Sequence, residues 1–422
     1  MSETSHGLLL QEQGRLEEAE VCFRNVLARE PDNDFVHSRL ALCQMSQEGR
    51  KKEALASIEE AIRLRADEGF YHAVRALVLA DLHRTRDALD SADRAIAFAP
   101  EDSFALSAKA SVYSAMQRWA DAEEWCRKAL AIDAENALAS NLLTHVLRLQ
   151  GKGEENEAAV AQLLADDPEN SLAHVNAGWA ALARHDHGAA ETHFREALRL
   201  DPESDAARQG LLESFKARSW FYRTYLRYCF FMQRFTAGKQ WLIIIGLYVV
   251  YRVAKEVMDR VHPVLAGGLI VLWLGFVMWV WLAPGIGNFL VFLDRSARHA
   301  LRASEKRLGL AVGGGLCAGV VLTAVGIATA IDGLFVPGVG LLLATVPASL
   351  AFDNESRNGR IVFGLITAFV VLGAVVAAWD ETVLHPQPGL GGWTGLLALP
   401  VVLATVACTW LGNIPSLRRA SE

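Results

Sequence analysis

The sequence predicts an all-α protein in two unlike parts, an N-terminal α-solenoid followed by a helical transmembrane bundle. Three observations carry that prediction. Residues 1–202 repeat with a period of 34. Residues beyond about 241 contain several runs of the roughly 20 apolar residues that a membrane-crossing helix needs. The charge changes sign between the halves: residues 1–210 hold 23 Lys+Arg and 37 Asp+Glu, whereas residues 211–422 hold 18 and 11.

The repeat is punctuated by Pro31, Ala66, Pro100, Ala134, Pro168 and Pro202. Twelve residues upstream of each stand Ala19, Ala54, Ala88, Ala122, Asn156 and Ala190. Eight upstream stand Phe23, Ile58, Ala92, Cys126, Val160 and Phe194, and twenty-four upstream Gly7, Leu42, Ala76, Ala110, Thr144 and Gly178. Small residues at fixed positions let paired helices approach, and larger apolar ones fill the gap between pairs. One pair cannot bury its own apolar face, so such units stack. Residues 203–217 are expected to form the helix that caps the array.

On this register residues 1–202 resemble the tetratricopeptide repeat (TPR) family, in six repeats. Asn156 departs from the small residue usual at its position. The resemblance implies a superhelix whose concave face, lined by the first helix of each repeat, binds peptides or protein segments. Projected onto this sequence, the candidate groove residues are Arg39, Phe70, Phe104, Asn141, His145, Arg148 and Trp179. The Lys/Asn pattern of the members that clamp a C-terminal carboxylate is absent.

Other polar features carry little chemistry. His185-Asp186-His187 falls where a turn between helices is expected, and an HxH without a third ligand is a weak metal signal. Gly151-Lys152-Gly153 lacks the preceding strand and the spacing of a phosphate loop. Cysteines 22, 43, 126, 229, 317 and 408 form no CxxC pair, so reduced thiols are expected rather than disulfides or zinc. No metal or cofactor is expected. The acidic N-terminal half argues against nucleic-acid binding.

The junction, KARSWFYRTYLRYCFFMQRFTAGKQ, alternates cations with aromatic residues and holds no acid. Helical spacing places positions 216, 223, 227 and 234 on one face. Residues 218–240 are expected to lie in the headgroup layer, with Arg218, Arg223, Arg227, Arg234 and Lys239 as membrane-interface residues.

Six spans are expected, at 241–257, 264–283, 308–330, 334–352, 361–379 and 393–414. The second is expected to end at Pro284-Gly285. Residues 288–307 are expected to be amphipathic and to lie along the inner interface. With the repeats inside, the inner segments 207–240, 283–307, 352–360 and 415–422 hold 16 Lys+Arg and the outer ones hold 3, as the positive-inside rule requires. The first residues carry no basic stretch and no long apolar core, so no secretory signal is read. The expected location is a bacterial cytoplasmic membrane with both termini cytoplasmic. Residues 415–422 form a short tail.

The last five spans hold no ionisable residue at mid-depth, which disfavours ion-coupled transport and membrane catalysis. Gly315-x3-Gly319 permits close helix packing, within the chain or in a homo-oligomer. Pro337-Gly338 is expected to kink its span. No GxSxG, HExxH or kinase set is present, so an enzyme is not expected. The junction and the following WLIIIGLYVVYR resemble bacterial membrane proteins with N-terminal TPR repeats. The expected function is a membrane-anchored interaction scaffold with a protein or peptide partner and lipid contacts. The alternative is a transporter or channel subunit regulated by its repeats.

Overall fold

A computed structural model describes residues 2–47, 49–329, 331–354, 356–379, 392–412 and 417. It divides into two compact units, Met1–Ser204 and Asp205–Glu422. All regular elements among the described residues are helical.

The first unit consists of six helix pairs: α1(Glu3–Glu12) with α2(Leu16–Arg29), α3(Asp34–Met45) with α4(Lys51–Leu64), and α5(Gly69–Asp81) with α6(Thr85–Phe98). They continue as α7(Ser103–Ala115) with α8(Trp119–Ile132), α9(Ala137–Gln150) with α10(Gly153–Asp166), and α11(Ser171–Ala183) with α12(His187–Leu200). Local sequence fixes each boundary. Asn33, Asp102, Asn136 and Asn170, all two residues after the punctuating position, cap first helices by accepting a backbone N–H. The turn within each pair contains one residue with positive φ, seventeen before the punctuation: Gly14, Gly49, His83, Gln117, Gly151 and His185. Glycine takes this left-handed conformation without steric cost, whereas the two histidines and the glutamine are held in it by the turn.

Packing within the pairs follows the small and large positions. A Cβ on Gly7 would lie 2.7 Å from the Phe23 ring, and one on Gly178 2.6 Å from the Phe194 ring. Both phenylalanines are fully buried. Where position 24 upstream is larger, as at Leu42, Ala76, Ala110 and Thr144, the opposing residue shrinks to Ile58, Ala92, Cys126 and Val160. Asn156 is buried in α10.

The second unit begins with α13(Asp205–Lys216), α14(Trp220–Gln233), α15(Ala237–Val261) and α16(Pro263–Leu293). A 3₁₀ turn at Arg298–Ala300, α17(Ala303–Gly309) and a π-helical turn at Leu310–Gly314 follow. Then come α18(Gly315–Thr329), α19(Asp332–Phe352), α20(Arg357–Trp379) and α21(Gly392–Leu411). Among the described residues four stretches are long and apolar enough to cross a membrane: Val264–Leu293, Ala303–Thr329, Gly333–Phe352 and Arg357–Trp379. The expected first span lies within α15, whose C-terminal half is studded with Arg252, Lys255, Glu256, Asp259 and Arg260. The expected last span coincides with α21, of which Leu399–Cys408 is a shorter apolar helix. All but the last residue of the expected outer loop, 380–392, and most of the tail lie outside the described residues.

Three expectations are corrected, and a fourth segment is resolved into its parts. Pro284 does not end its helix; α16 continues through it to Leu293, and beside the interruption Ser349 Oγ donates to Trp281 O at 3.1 Å. Residues 288–307 run from the end of α16 through a turn and the 3₁₀ turn into α17. Asp294 accepts from the Ser296 N–H and hydroxyl at 2.8 and 2.7 Å, which turns the chain. Helix α13 belongs to the second unit rather than closing the repeats: Leu212 and Phe215 pack on Val291, Ala297 and Leu301, and Arg208 meets Glu305 at 3.2 Å. The single helical face across 216–234 is broken by the turn between α13 and α14.

Small residues do serve close packing inside this unit. A Cβ on Gly319 would lie 2.8 Å from Leu342, and one on Gly326 2.5 Å from the Phe335 backbone. Pro337 lies inside α19, and a Cβ on the adjacent Gly338 would meet Thr323 at 2.5 Å.

Gly178→Ala is expected to destabilise the first unit by about 1–3 kcal/mol through overpacking against Phe194. Adding Phe194→Leu should recover part of that loss, so denaturant unfolding of the two single variants and the double variant checks the pairing.

Candidate partner-binding face of the repeat array

The first helices α3, α5, α7, α9 and α11 touch in succession, so side chains at one register form a row across them. Phe35, Phe70 and Phe104 each stand four residues after the punctuation. The Phe70 and Phe104 rings are 5.2 Å apart. The Arg39 guanidinium lies over both Phe35, at 4.9 Å, and Phe70, at 5.3 Å. Three of the seven predicted groove residues are thereby brought together. Phe35 was not among them, although its register is that of Phe70 and Phe104.

A second group forms on α9 and α11. Arg148 Nη2 is 3.3 Å from His145 Nδ1, and its guanidinium lies 5.7 Å over the Trp179 ring. Burial pushes the His145 pKa down to about 4, reinforced by the Arg148 charge, and pushes Arg148 down to about 10. Asn141 stands apart from this group. It is buried, its Nδ2 donates to Ala137 O at 2.8 Å and its Oδ1 accepts from Asn176 at 2.9 Å, which ties α9 to α11. Between the two groups, Lys109 places its ammonium 4.1 Å over Trp125 and 2.6 Å from Asp93.

Repeat-to-repeat ion pairs hold these rows in register. Arg15, Arg50, Arg84, Arg118 and Lys152 each immediately precede a second helix or its first turn, and each pairs with an acid three residues on. Two of them also reach the preceding repeat. Glu20 accepts from Arg50 and from Arg24 at 2.8 Å and Gln47 at 3.0 Å. Glu123 accepts from Lys152 at 2.7 Å, Gln150 at 2.8 Å and Arg127 at 2.9 Å. Hydrogen bonds from Arg50 hold the buried Glu20 carboxyl down at about 2. In the other four repeats the same register carries Leu55, Leu89, Glu157 and Glu191. A basic residue recurring every 34 with an acid three positions later was the available signal for this arrangement.

His185 and Asp186 make the turn before α12, which starts at His187; Asp186 Oδ1 accepts from the Ala189 N–H at 2.9 Å. Among the described residues there is no group of three or more His, Cys, Asp or Glu suited to a metal.

In the second unit, Arg218 is ion-paired with Asp294 at 2.8 Å and lies 4.7 Å over Phe215. Arg223 is half-buried, and Arg227, Arg234 and Lys239 are exposed. Lys216 is buried, with Glu213 at 2.9 Å.

Tetratricopeptide-repeat models match residues 4–69 and 146–205, and a further one matches 105–138. The N-terminal half is a TPR array. Solved structures with a similar fold include a TPR protein from Parabacteroides merdae, 17% identical, covering 56% of this chain and 94% of that one with a TM-score of 0.39. A thermophilic TPR protein of Thermus thermophilus is 18% identical, covering 43% and 98% with a TM-score of 0.40. YrrB, described as a TPR protein with an unusual peptide-binding site, is 16% identical, covering 44% and 96% with a TM-score of 0.30. No curated protein matches the chain.

The pKa shifts set the pH response of the TPR array. Glu20 is depressed on folding, so its stabilising contribution is present above pH 4.5 and lost as pH falls toward 2. His145 is also depressed, so protonation of the unfolded chain draws stability away between pH 6.5 and 4. His145→Gln should flatten the stability profile in that upper window, and Glu20→Gln should cost about 1–3 kcal/mol at neutral pH. Thermal melts from pH 3 to 8 check both.

Proposed function

We propose that this protein is a membrane-anchored, non-enzymatic interaction scaffold. Its TPR array recruits a protein or peptide partner to the cytosolic membrane face through the exposed side of the first helices. The observation that carries the reading is the pair of cation–aromatic groups on that side, Arg39 with Phe35, Phe70 and Phe104, and Arg148 with His145 and Trp179. Tryptophan, tyrosine and arginine are enriched among the few residues that supply most of the energy in protein interfaces. The four long apolar helices support a bilayer anchor. Arg223, Arg227, Arg234 and Lys239 supply cations for anionic headgroups beside the first apolar helices, and the excess of Lys+Arg in the inner segments supports cytoplasmic termini.

The test is capture from a lysate of the source cell by the full chain in lipid nanodiscs. A discrete partner should be retained by the wild type and lost by at least tenfold from a variant carrying Arg148→Ala and Trp179→Ala with an unchanged melting temperature. Equal retention by both proteins would contradict this use of the first helices.

A further inference from the structure

Arg39 differs from the paired cations along the array. It is half-buried, its Nε is buried without a hydrogen-bond partner, and burial lowers its pKa. Among the described residues no carboxylate forms an ion pair with it; Glu12 acts on it only through space. The Phe35 and Phe70 rings take the face of its guanidinium. Ring faces attract the cation but offer no acceptor to the N–H groups at its edge. A desolvated guanidinium left in this state is costly, and an incoming carboxylate recovers that cost through charge-assisted hydrogen bonds.

The surroundings restrict which anion fits. Residues 1–210 carry 14 more acids than bases, so a freely diffusing anion is repelled by the array as a whole. A carboxylate delivered on a peptide meets the same repulsion, which its neighbours offset when they bury apolar area. The apolar area is present beside Arg39: Phe35 is 38% exposed, and Phe70 and Phe104 are partly buried, their rings 5.2 Å apart and tilted at 33°.

Resting on the reading of the first helices as the partner surface, we propose that Arg39, Phe35, Phe70 and Phe104 form a subsite for an acidic side chain flanked by apolar residues in the partner segment. Arg39 holds the Asp or Glu carboxylate edge-on. Phe70 and Phe104 cover the flanking apolar side chain. The subsite reads a residue inside a segment and does not need a chain terminus.

The experiment uses the full chain in detergent and a fluorescein-labelled, C-amidated peptide, Gly-Ser-Leu-Phe-Glu-Leu-Gly-Ser, beside the same peptide with Gln replacing Glu. Fluorescence anisotropy should show the Glu peptide binding at least tenfold more tightly. Arg39→Gln should abolish that difference, whereas Arg63→Gln, which removes an exposed cation paired with Glu60, should preserve it. Phe70→Leu should weaken both peptides together. Melting temperatures of all variants within about 2 °C of wild type establish that folding is intact, since a neutral substitution at a desolvated cation does not create a buried charge. Equal binding of the Glu and Gln peptides, no binding of either, or a difference that survives Arg39→Gln would overturn the subsite. So would binding confined to a peptide with a free C-terminal carboxylate, to a phosphoserine peptide, or to phosphatidylglycerol vesicles. Retention of a partner in the nanodisc capture alongside any of those results overturns the subsite alone; loss of that capture with the Glu preference intact overturns the recruiting role alone.

Discussion

The repeat array depends on one steric constraint: the residues that face each other where the two helices of a pair cross divide a limited volume between them. Gly178 faces Phe194 and Gly7 faces Phe23, and the four pairs between them share the volume in other proportions. An error at the crossing would move a whole helix, because interiors are packed to crystal-like density and do not absorb a misplaced methyl group. With the crossings fixed, successive first helices meet at a constant offset. That offset turns a period in sequence into rows in space, so residues 34 or 35 apart, such as Phe35, Phe70 and Phe104, become neighbours.

Much of this was legible without coordinates. The punctuating Pro and Ala, the Asn and Asp caps and the small-against-large pairs are local or strictly periodic, and each signals itself in one dimension. The seven candidate groove residues were named one by one from the TPR register; that Arg39 lies against Phe70, and Arg148 against His145 and Trp179, is visible only in the structure. What escaped were contacts between positions that differ in register. The carboxylate of Glu20 lies on a second helix while Arg50 precedes the next one, and the pattern is interrupted by Leu55 and Leu89. Asn141 could be placed on the correct helix but not seen to be occupied with Asn176, because an amide gives no sign in sequence of which partner it satisfies.

The second unit was harder to read for a different reason. Uniform apolarity marks where a helix is long but not where it stops. Pro284 looks like a terminator, yet α16 runs through it to Leu293; the carbonyl it leaves without a helical donor is that of Val280, and at the next carbonyl, Trp281, the neighbouring helix supplies Ser349 as a donor. Residues 291–301 looked amphipathic because they are so, but their apolar side covers Leu212 and Phe215 of α13. Arg218, expected among headgroups, is held by Asp294. The start of the junction is therefore a folded part of the apolar unit.

The functional account rests on which side of the array meets the partner. Photo-crosslinking in the native membrane tests it most directly, with benzoylphenylalanine placed in separate full-length chains at Phe104 and Trp179 on first helices and at Ile132, an exposed residue at the end of a second helix. The account predicts discrete protein adducts from positions 104 and 179 and none from 132. Adducts from 132 with none from 104 or 179 would contradict it.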